Sequence, residues 1–369
     1  MTVPNEVSSK RAEMKFSMWL LPVVMVVHSK SASYTSLCGK GCTCLGEFRF
    51  VNCSDALFGH LPRNVPPFAE HLDLSLNQLG HIPAGYFHPL RRIRVLLLNG
   101  NNISALADGT FYSLQSLQRL DLSRNRISIL SAGFSLGLGS LKELLLGQNR
   151  LTGLESGSFL YLDGLRRLDL SANAIRTIHV RAFGGMTALR RLHLQDNRLE
   201  FLGGGIFSTL RSLEVLDLRG NLIDATEGGV FTPLASLATL DLAHNRLSSI
   251  RFRTLLSIPS YSTHILLGGN RWHCDCDLQR VFRKLRSVQR LFLDDYATLS
   301  CAEPPELQGY RLEEVDSQLC VAETVTVLII TVTVVITVVA AVVMAEKNRK
   351  KRTGVHWSEE SDTPYDPQG

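Results

Sequence analysis

Eight cysteines fall into two groups of four: Cys38, Cys42, Cys44 and Cys53 early in the chain, and Cys274, Cys276, Cys301 and Cys320 far downstream, with none between. Thiols clustered in this way have two chemistries open to them, oxidation to disulfides or tetrahedral zinc binding. Zinc sites usually pair their cysteines as C-x2-C, and neither group has that spacing, so bridges formed in an oxidising compartment are the expectation. Each bridge would contribute about 2 to 4 kcal/mol. Four cysteines allow three connectivities, and spacing alone does not choose among them. Asn102-Ile103-Ser104 is an acceptor sequence for N-glycosylation. Asn52-Cys53-Ser54 is formally another, but its central cysteine is expected in a bridge. His193, His244 and His264 stand far apart in equivalent contexts, and no nucleophile, base and orienting partner share a recognisable motif. No catalytic residue, metal site or cofactor is assigned, and the chain is read as a non-enzyme.

The elements that position these residues are set by a ruler. Asn77, Asn101, Asn125, Asn149, Asn173, Asn197, Asn221, Asn245 and Asn270 recur every 24 residues, with only the last interval stretched to 25. Most sit in the frame LxxLxLxxNx(L/I), as in Leu117, Leu120, Leu122, Asn125 and Ile127. In Leu120-Asp121-Leu122 the leucines point one way and the aspartate the other, which predicts one short strand per repeat. A single 24-residue unit cannot bury its own leucines, so the units must stack into a solenoid held by neighbour interfaces. The asparagine turns inward where the chain leaves the strand, and its amide needs backbone partners. Leaving such partners unpaired costs about 1 to 3 kcal/mol per buried group. Ten residues after most of these asparagines stands a phenylalanine, Phe87, Phe111, Phe159, Phe183, Phe207 or Phe231, expected to fill the convex side. The third repeat moves its aromatic to Phe134 and the eighth places Leu255 there, which predicts irregular outer turns in both.

This pattern is the leucine-rich repeat signature, and the flanking cysteines extend the resemblance. Cys38-x3-Cys42-x-Cys44-x8-Cys53 resembles the amino-terminal cap of extracellular leucine-rich repeat proteins. Asn270-x-Trp272-x-Cys274-Asp275-Cys276-x-Leu278, with Cys301 and Cys320 downstream, resembles their carboxy-terminal cap. The resemblance implies pairing of Cys38 with Cys44, Cys42 with Cys53, Cys274 with Cys301 and Cys276 with Cys320. It also implies an α/β fold: a leucine-rich repeat horseshoe with a parallel sheet on its concave face and disulfide-stapled caps, here followed by one transmembrane helix. The expected organisation is a cap at 34–68, eight full repeats and a terminal one at 69–269, and a second cap at 270–320.

Outside the repeats, residues 16–27 form an apolar run preceded by Lys10, Arg11 and Lys15, which reads as a secretory signal within residues 1–33, cleaved before Tyr34. Residues 324–345 carry no charge, and 22 residues at about 1.5 Å each reach about 33 Å, enough to cross a hydrocarbon core near 30 Å. Thr326, Thr333 and Thr337 in this run are expected to bond their own backbone carbonyls. Lys347, Arg349, Lys350, Lys351 and Arg352 follow at once, which by the positive-inside rule puts residues 346–369 in the cytoplasm and makes a type I, single-pass plasma-membrane protein. The same five cations could also touch anionic lipid. Residues 346–369 are too few for a folded signalling module. With 39 Lys and Arg against 34 Asp and Glu, the formal charge is only +5, which does not describe a nucleic-acid binder.

What remains for function is surface. Residues six, four and two before each asparagine should face the concave side, in a strip of nine strands roughly 38 Å long. The first column reads His71, Val95, Arg119, Glu143, Arg167, Arg191, Val215, Thr239 and His264. The second reads Asp73, Leu97, Asp121, Leu145, Asp169, His193, Asp217, Asp241 and Leu266. Arg119 with Asp121 and Arg167 with Asp169 are expected as local ion pairs. Leu97, Leu145 and Leu266, apolar on an exposed face, are candidate anchors for a partner, with Arg119, Arg167, Arg191 and His193 around them. The leading expectation is a cell-surface recognition or adhesion receptor for another protein. The alternative is a lateral auxiliary subunit of a membrane complex: the chain is similar in plan to the gamma subunits of the large-conductance calcium-activated potassium channel, and three residues separate Cys320 from residue 324.

Overall fold

The computed structural model describes residues 37–39, 41–315 and 317–354, and in the last segment the side chains of 325–349. The expected signal at 1–33 and most of the tail lie outside these residues. The chain divides into two units, Met1–Leu312 and Glu313–Gly369.

The first unit is a parallel-sheet solenoid. Its leucines alternate as the frame requires: in the strand Arg119–Asp121 the central Leu120 is fully buried, as are Leu117 and Leu122 on either side. Strand after strand repeats this, and each pairs with the next at equivalent positions. Arg119 stands opposite Glu143, Leu120 opposite Leu144 and Asp121 opposite Leu145. A one-residue slip would turn every leucine to water, so the register is set by the core. The repeat strands are three residues long, four in Thr263–Leu266, and the residue just before each asparagine bends the chain away. Leu76, Arg124, Gln148, Ala172, Asp196 and His244 all take positive φ there, as do Gly100, Gly220 and Gly269.

The nine-strand strip is longer than the repeat count implies. Within the described residues the sheet has twelve strands, because both caps join it. Phe50–Asn52 pairs parallel to the first repeat strand and antiparallel to Thr43–Leu45. At the other end Leu291–Leu293 pairs parallel to Thr263–Leu266. Neither cap segment carries the leucine frame, so the periodicity could not include them.

Opposite the sheet, Phe87, Phe111, Phe134, Phe159, Phe183, Phe207 and Phe231 form a buried spine. From Phe159 to Phe231 the rings stack nearly parallel at centroid spacings of 6.0 to 6.5 Å. Phe134 breaks the stack and meets Phe159 edge-on at 83°. Its one-residue shift puts Ser135 where other repeats have phenylalanine, and that hydroxyl is buried without a hydrogen-bond partner. The outer segments are mostly turns, and the eighth repeat instead forms a short helix, Phe252–Leu256, with Leu255 buried.

The second unit is described as one helix, Ser317–Gly354, whose Val325–Arg349 portion is long and apolar enough to cross a membrane. It runs past residues 324–345 at both ends. Thr333 and Thr337 donate to the carbonyls of Ile330 and Val334 at 2.8 Å. Lys347 and Arg349 are exposed, and the side chains of Lys350, Lys351 and Arg352 lie outside the described residues.

Candidate functional site: the concave face

Two devices hold the concave face in place. The first is the row of asparagines, each of which ties three segments of chain together. Asn125 Nδ2 donates to the carbonyls of Leu98, in the preceding repeat, and Leu122, in its own, at 2.9 and 3.0 Å. Its Oδ1 accepts the Ile103 N–H at 3.0 Å. The same triplet recurs along the array and adapts at the amino-terminal end. There Asn77 donates to the Cys53 carbonyl at 2.8 Å and accepts from Ala56 and Phe58 at 3.2 and 2.9 Å, coupling the first repeat to the cap. At the other end Asn270 donates to Leu242 O at 3.0 Å and accepts from Leu247 N at 3.0 Å.

The second device is the pair of caps. Disulfides join Cys38 to Cys44, Cys42 to Cys53 and Cys274 to Cys301. Cys276 is disulfide-bonded as well, and the side chain of Cys320 lies outside the described residues. In the carboxy-terminal cap, Asp275 caps the helix Cys276–Arg286 by accepting the Leu278 N–H at 2.7 Å. Trp272, fully buried, meets Phe282 edge-on at 5.5 Å.

On this frame the two concave columns carry different burdens. The aspartates of the second column serve the fold first. Asp73, Asp121 and Asp169 each use Oδ1 to accept both the N–H and the hydroxyl of the serine two residues on, at 2.9 to 3.0 and 2.6 Å. Asp217 and Asp241 accept the Arg219 and Ala243 N–H groups alone. Burial raises the Asp241 carboxyl above the usual carboxylate range, Asp217 and Asp295 push it the same way, and the Ala243 N–H and Arg219 oppose them.

The expected pairs Arg119–Asp121 and Arg167–Asp169 do not form. Glu143 takes both arginines instead, Arg119 at 3.1 Å on one carboxylate oxygen and Arg167 at 3.2 Å on the other. The reason is geometric. Neighbouring strands are about 4.8 Å apart, whereas residues two apart along a strand are separated by nearly 7 Å. Glu143 stands in register with Arg119 on one side and Arg167 on the other, while the aspartates are held by their serines.

Leu97, Leu145 and Leu266 are half-buried on this face rather than fully exposed. Leu97 and Leu145 flank the buried Asp121 in register. Arg119 and Arg191 are exposed and Arg167 half-buried. His193, half-buried, has its Nδ1 3.9 Å from Asp217 Oδ2. The caps add two aromatics that the repeat frame could not reveal. Phe50 stacks on His71 at 4.3 Å and Phe292 on His264 at 5.1 Å, so the first column ends in a histidine–phenylalanine stack on each side. His264 also meets Asp294 at 3.0 Å. Away from the sheet face, Asn102 and Ser104 are exposed with Ile103 buried between them. Asn52 is half-buried and accepts the Ser54 N–H at 2.8 Å. Among the described residues no group of His, Cys, Asp and Glu side chains could hold a metal ion.

Comparison with known proteins places this geometry. The family model described as leucine rich repeat matches residues 91–151, 139–199 and 187–247. "Leucine-rich repeat-containing protein 3B" of Danio rerio is 39% identical over 98 residues, covering 25% of this chain and 37% of that protein. "Leucine-rich repeat-containing G-protein coupled receptor 5" of Rattus norvegicus is 37% identical over 82 residues, 21% of this chain and 9% of the receptor. The chain thus matches well under two thirds of the length of these curated relatives. The crystal structure of human 5T4 (Wnt-activated inhibitory factor 1, Trophoblast glycoprotein) superposes with a TM-score of 0.58 at 26% identity, covering 76% of this chain and 97% of that one.

Proposed function

We propose that this leucine-rich repeat protein is a cell-surface receptor that binds a protein partner through its concave face and is held in the membrane by the apolar helix. The observation that carries the reading is the division of labour on the sheet. The frame leucines, the asparagines and the aspartates are consumed by the fold, whereas Val95, Leu97, Arg119, Leu145, Arg167, Arg191 and Val215 sit at least partly in water and no repeat requirement dictates their types. A twelve-stranded sheet offers a face more than 50 Å long by strand spacing of about 4.8 Å, adequate for a standard interface. Leucine-rich repeats shared with a relative named as a receptor support recognition, and the apolar stretch Val325–Arg349 supports anchoring. Plasma-membrane location with the repeats outside, a cleaved signal, adhesion and glycan at Asn102 belong to the same proposal. The test is saturable binding of a soluble, disulfide-intact fragment 34–320 to cells that lack the protein. Absence of binding by a demonstrably folded fragment removes recognition between cells.

A second reading, a lateral auxiliary subunit of a membrane complex such as a potassium channel, draws on the helix. Its Val, Ile, Leu and Met side chains from Val325 to Met344 are uncovered by protein. Crosslinks from this segment to a second membrane protein would favour it.

A further inference from the structure

We propose that Arg167 and Arg191 form a fork at the centre of the concave face that seats a single carboxylate from a polypeptide partner, with apolar contacts on either side. The inference rests on the concave-face reading above and adds the chemistry of the partner.

Arg167 and Arg191 stand directly opposite each other on adjacent parallel strands. Like charges placed so are unfavourable by themselves. Glu143 neutralises only part of this cluster, because its two oxygens are divided between Arg119 and Arg167. Arg191 is exposed and has no carboxylate within ion-pair distance among the described residues, and the Nε of Arg167 is shielded from water without an acceptor. Two arginines paired across one strand spacing suit a carboxylate, which accepts paired N–H donors from planar guanidinium groups.

The surroundings decide what carries that carboxylate. Val215 is next to Arg191 in register, whereas Glu143 is next to Arg167, with Leu145 diagonal to Arg167 and opposite Asp169. Val215 beside Arg191 and Leu145 diagonal to Arg167 give the fork one apolar neighbour on each side, which suits an acidic residue among apolar ones. A sulfated polysaccharide running along the face would instead meet the column Asp121, Asp169, Asp217 and Asp241, whose carboxylates repel a continuous polyanion. A discrete acidic side chain at the fork has Asp169 nearby but not the whole column.

The test uses the full-length protein in lipid nanodiscs and a displayed random peptide library as the probe, with heparin–agarose in parallel. Selected peptides are expected to place Asp or Glu between apolar residues. Their affinity should fall about tenfold or more in R167Q/R191Q and stay within about twofold in R126Q/R150Q, two exposed arginines on the turn edge. Peptides that ignore R167Q/R191Q but are lost in Leu97→Asp would overturn the fork and leave concave-face recognition standing. Peptides indifferent to both, or none above background on folded protein, would remove both. Heparin retention that depends on the same two arginines would identify a sulfated polyanion and overturn the proposal.

Discussion

At the scale of single residues, the asparagine row is the most exacting feature of the molecule. Asn149 Nδ2 reaches the carbonyls of Leu122 and Leu146 at 2.9 and 3.0 Å, and its Oδ1 takes the Ile127 N–H at 3.0 Å. Asn149→Ala strips partners from buried backbone groups of two repeats and is expected to cost about 2 to 4 kcal/mol in denaturant unfolding. Asn102→Gln, one position past the row and exposed, should cost nothing measurable by the same assay. His71 supplies a second residue-level prediction. Burial holds its pKa below the ordinary 6.5, Arg119 acts in the same direction, and Asp73 opposes. When the folded pKa is the lower one, the unfolded chain takes the proton first. The neutral ring's contribution is complete above about pH 6.5 and is lost as pH falls through the lowered folded value. His71→Gln should therefore flatten the loss of stability as pH falls below about 6.5, read as urea midpoints; an unchanged slope would show that His71 is not the titrating group.

At the scale of elements, the third repeat is the place where a small change should matter most. Gly137 has φ +86°, and a Cβ there would lie 2.3 Å from the Tyr112 carbonyl oxygen and 2.7 Å from its Cα. Backbone must move, so Gly137→Ala is expected to cost about 3 kcal/mol or more in a thermal or denaturant melt. Gly220 also has positive φ, yet the nearest atom to its added Cβ is the carboxylate oxygen of Asp196, the end of a side chain that can turn away. Gly220→Ala should cost only about 1 kcal/mol. Equal costs would mean that the outer turn of the third repeat yields as easily as the inner bend. The elements themselves were legible in the sequence because a repeating core demands it: Leu117, Leu120 and Leu122 have one arrangement that buries all three. The one-residue shift of Phe134 was legible too, as a broken interval. The cap strands Phe50–Asn52 and Leu291–Leu293 were not, since a segment outside the repeat leaves no period to read. Arg119 with Glu143 escaped for a related reason. Their proximity is set by strand register across 24 residues, whereas inspection of a strand suggests the aspartate two positions away.

At the scale of the whole molecule, the proposed receptor has a solenoid to present a partner surface and an apolar helix to anchor it. Anchoring predicts that full-length protein stays in the membrane pellet through an alkaline wash, and that a chain ending at residue 316 appears in the soluble fraction. Recovery of both in the soluble fraction would contradict it. Recognition by the concave face is tested most directly by paired variants. The measurement is saturation binding to cells of the soluble fragment 34–320 in three forms: unchanged, Leu97→Asp with Leu145→Asp on the concave side, and Tyr112→Asp with Leu160→Asp at exposed outer-turn positions. Each form is first shown to melt cooperatively. The account predicts loss of about tenfold or more in affinity for the concave pair and little change for the outer pair. Loss confined to the outer pair, with the concave pair binding as the unchanged fragment does, would contradict it.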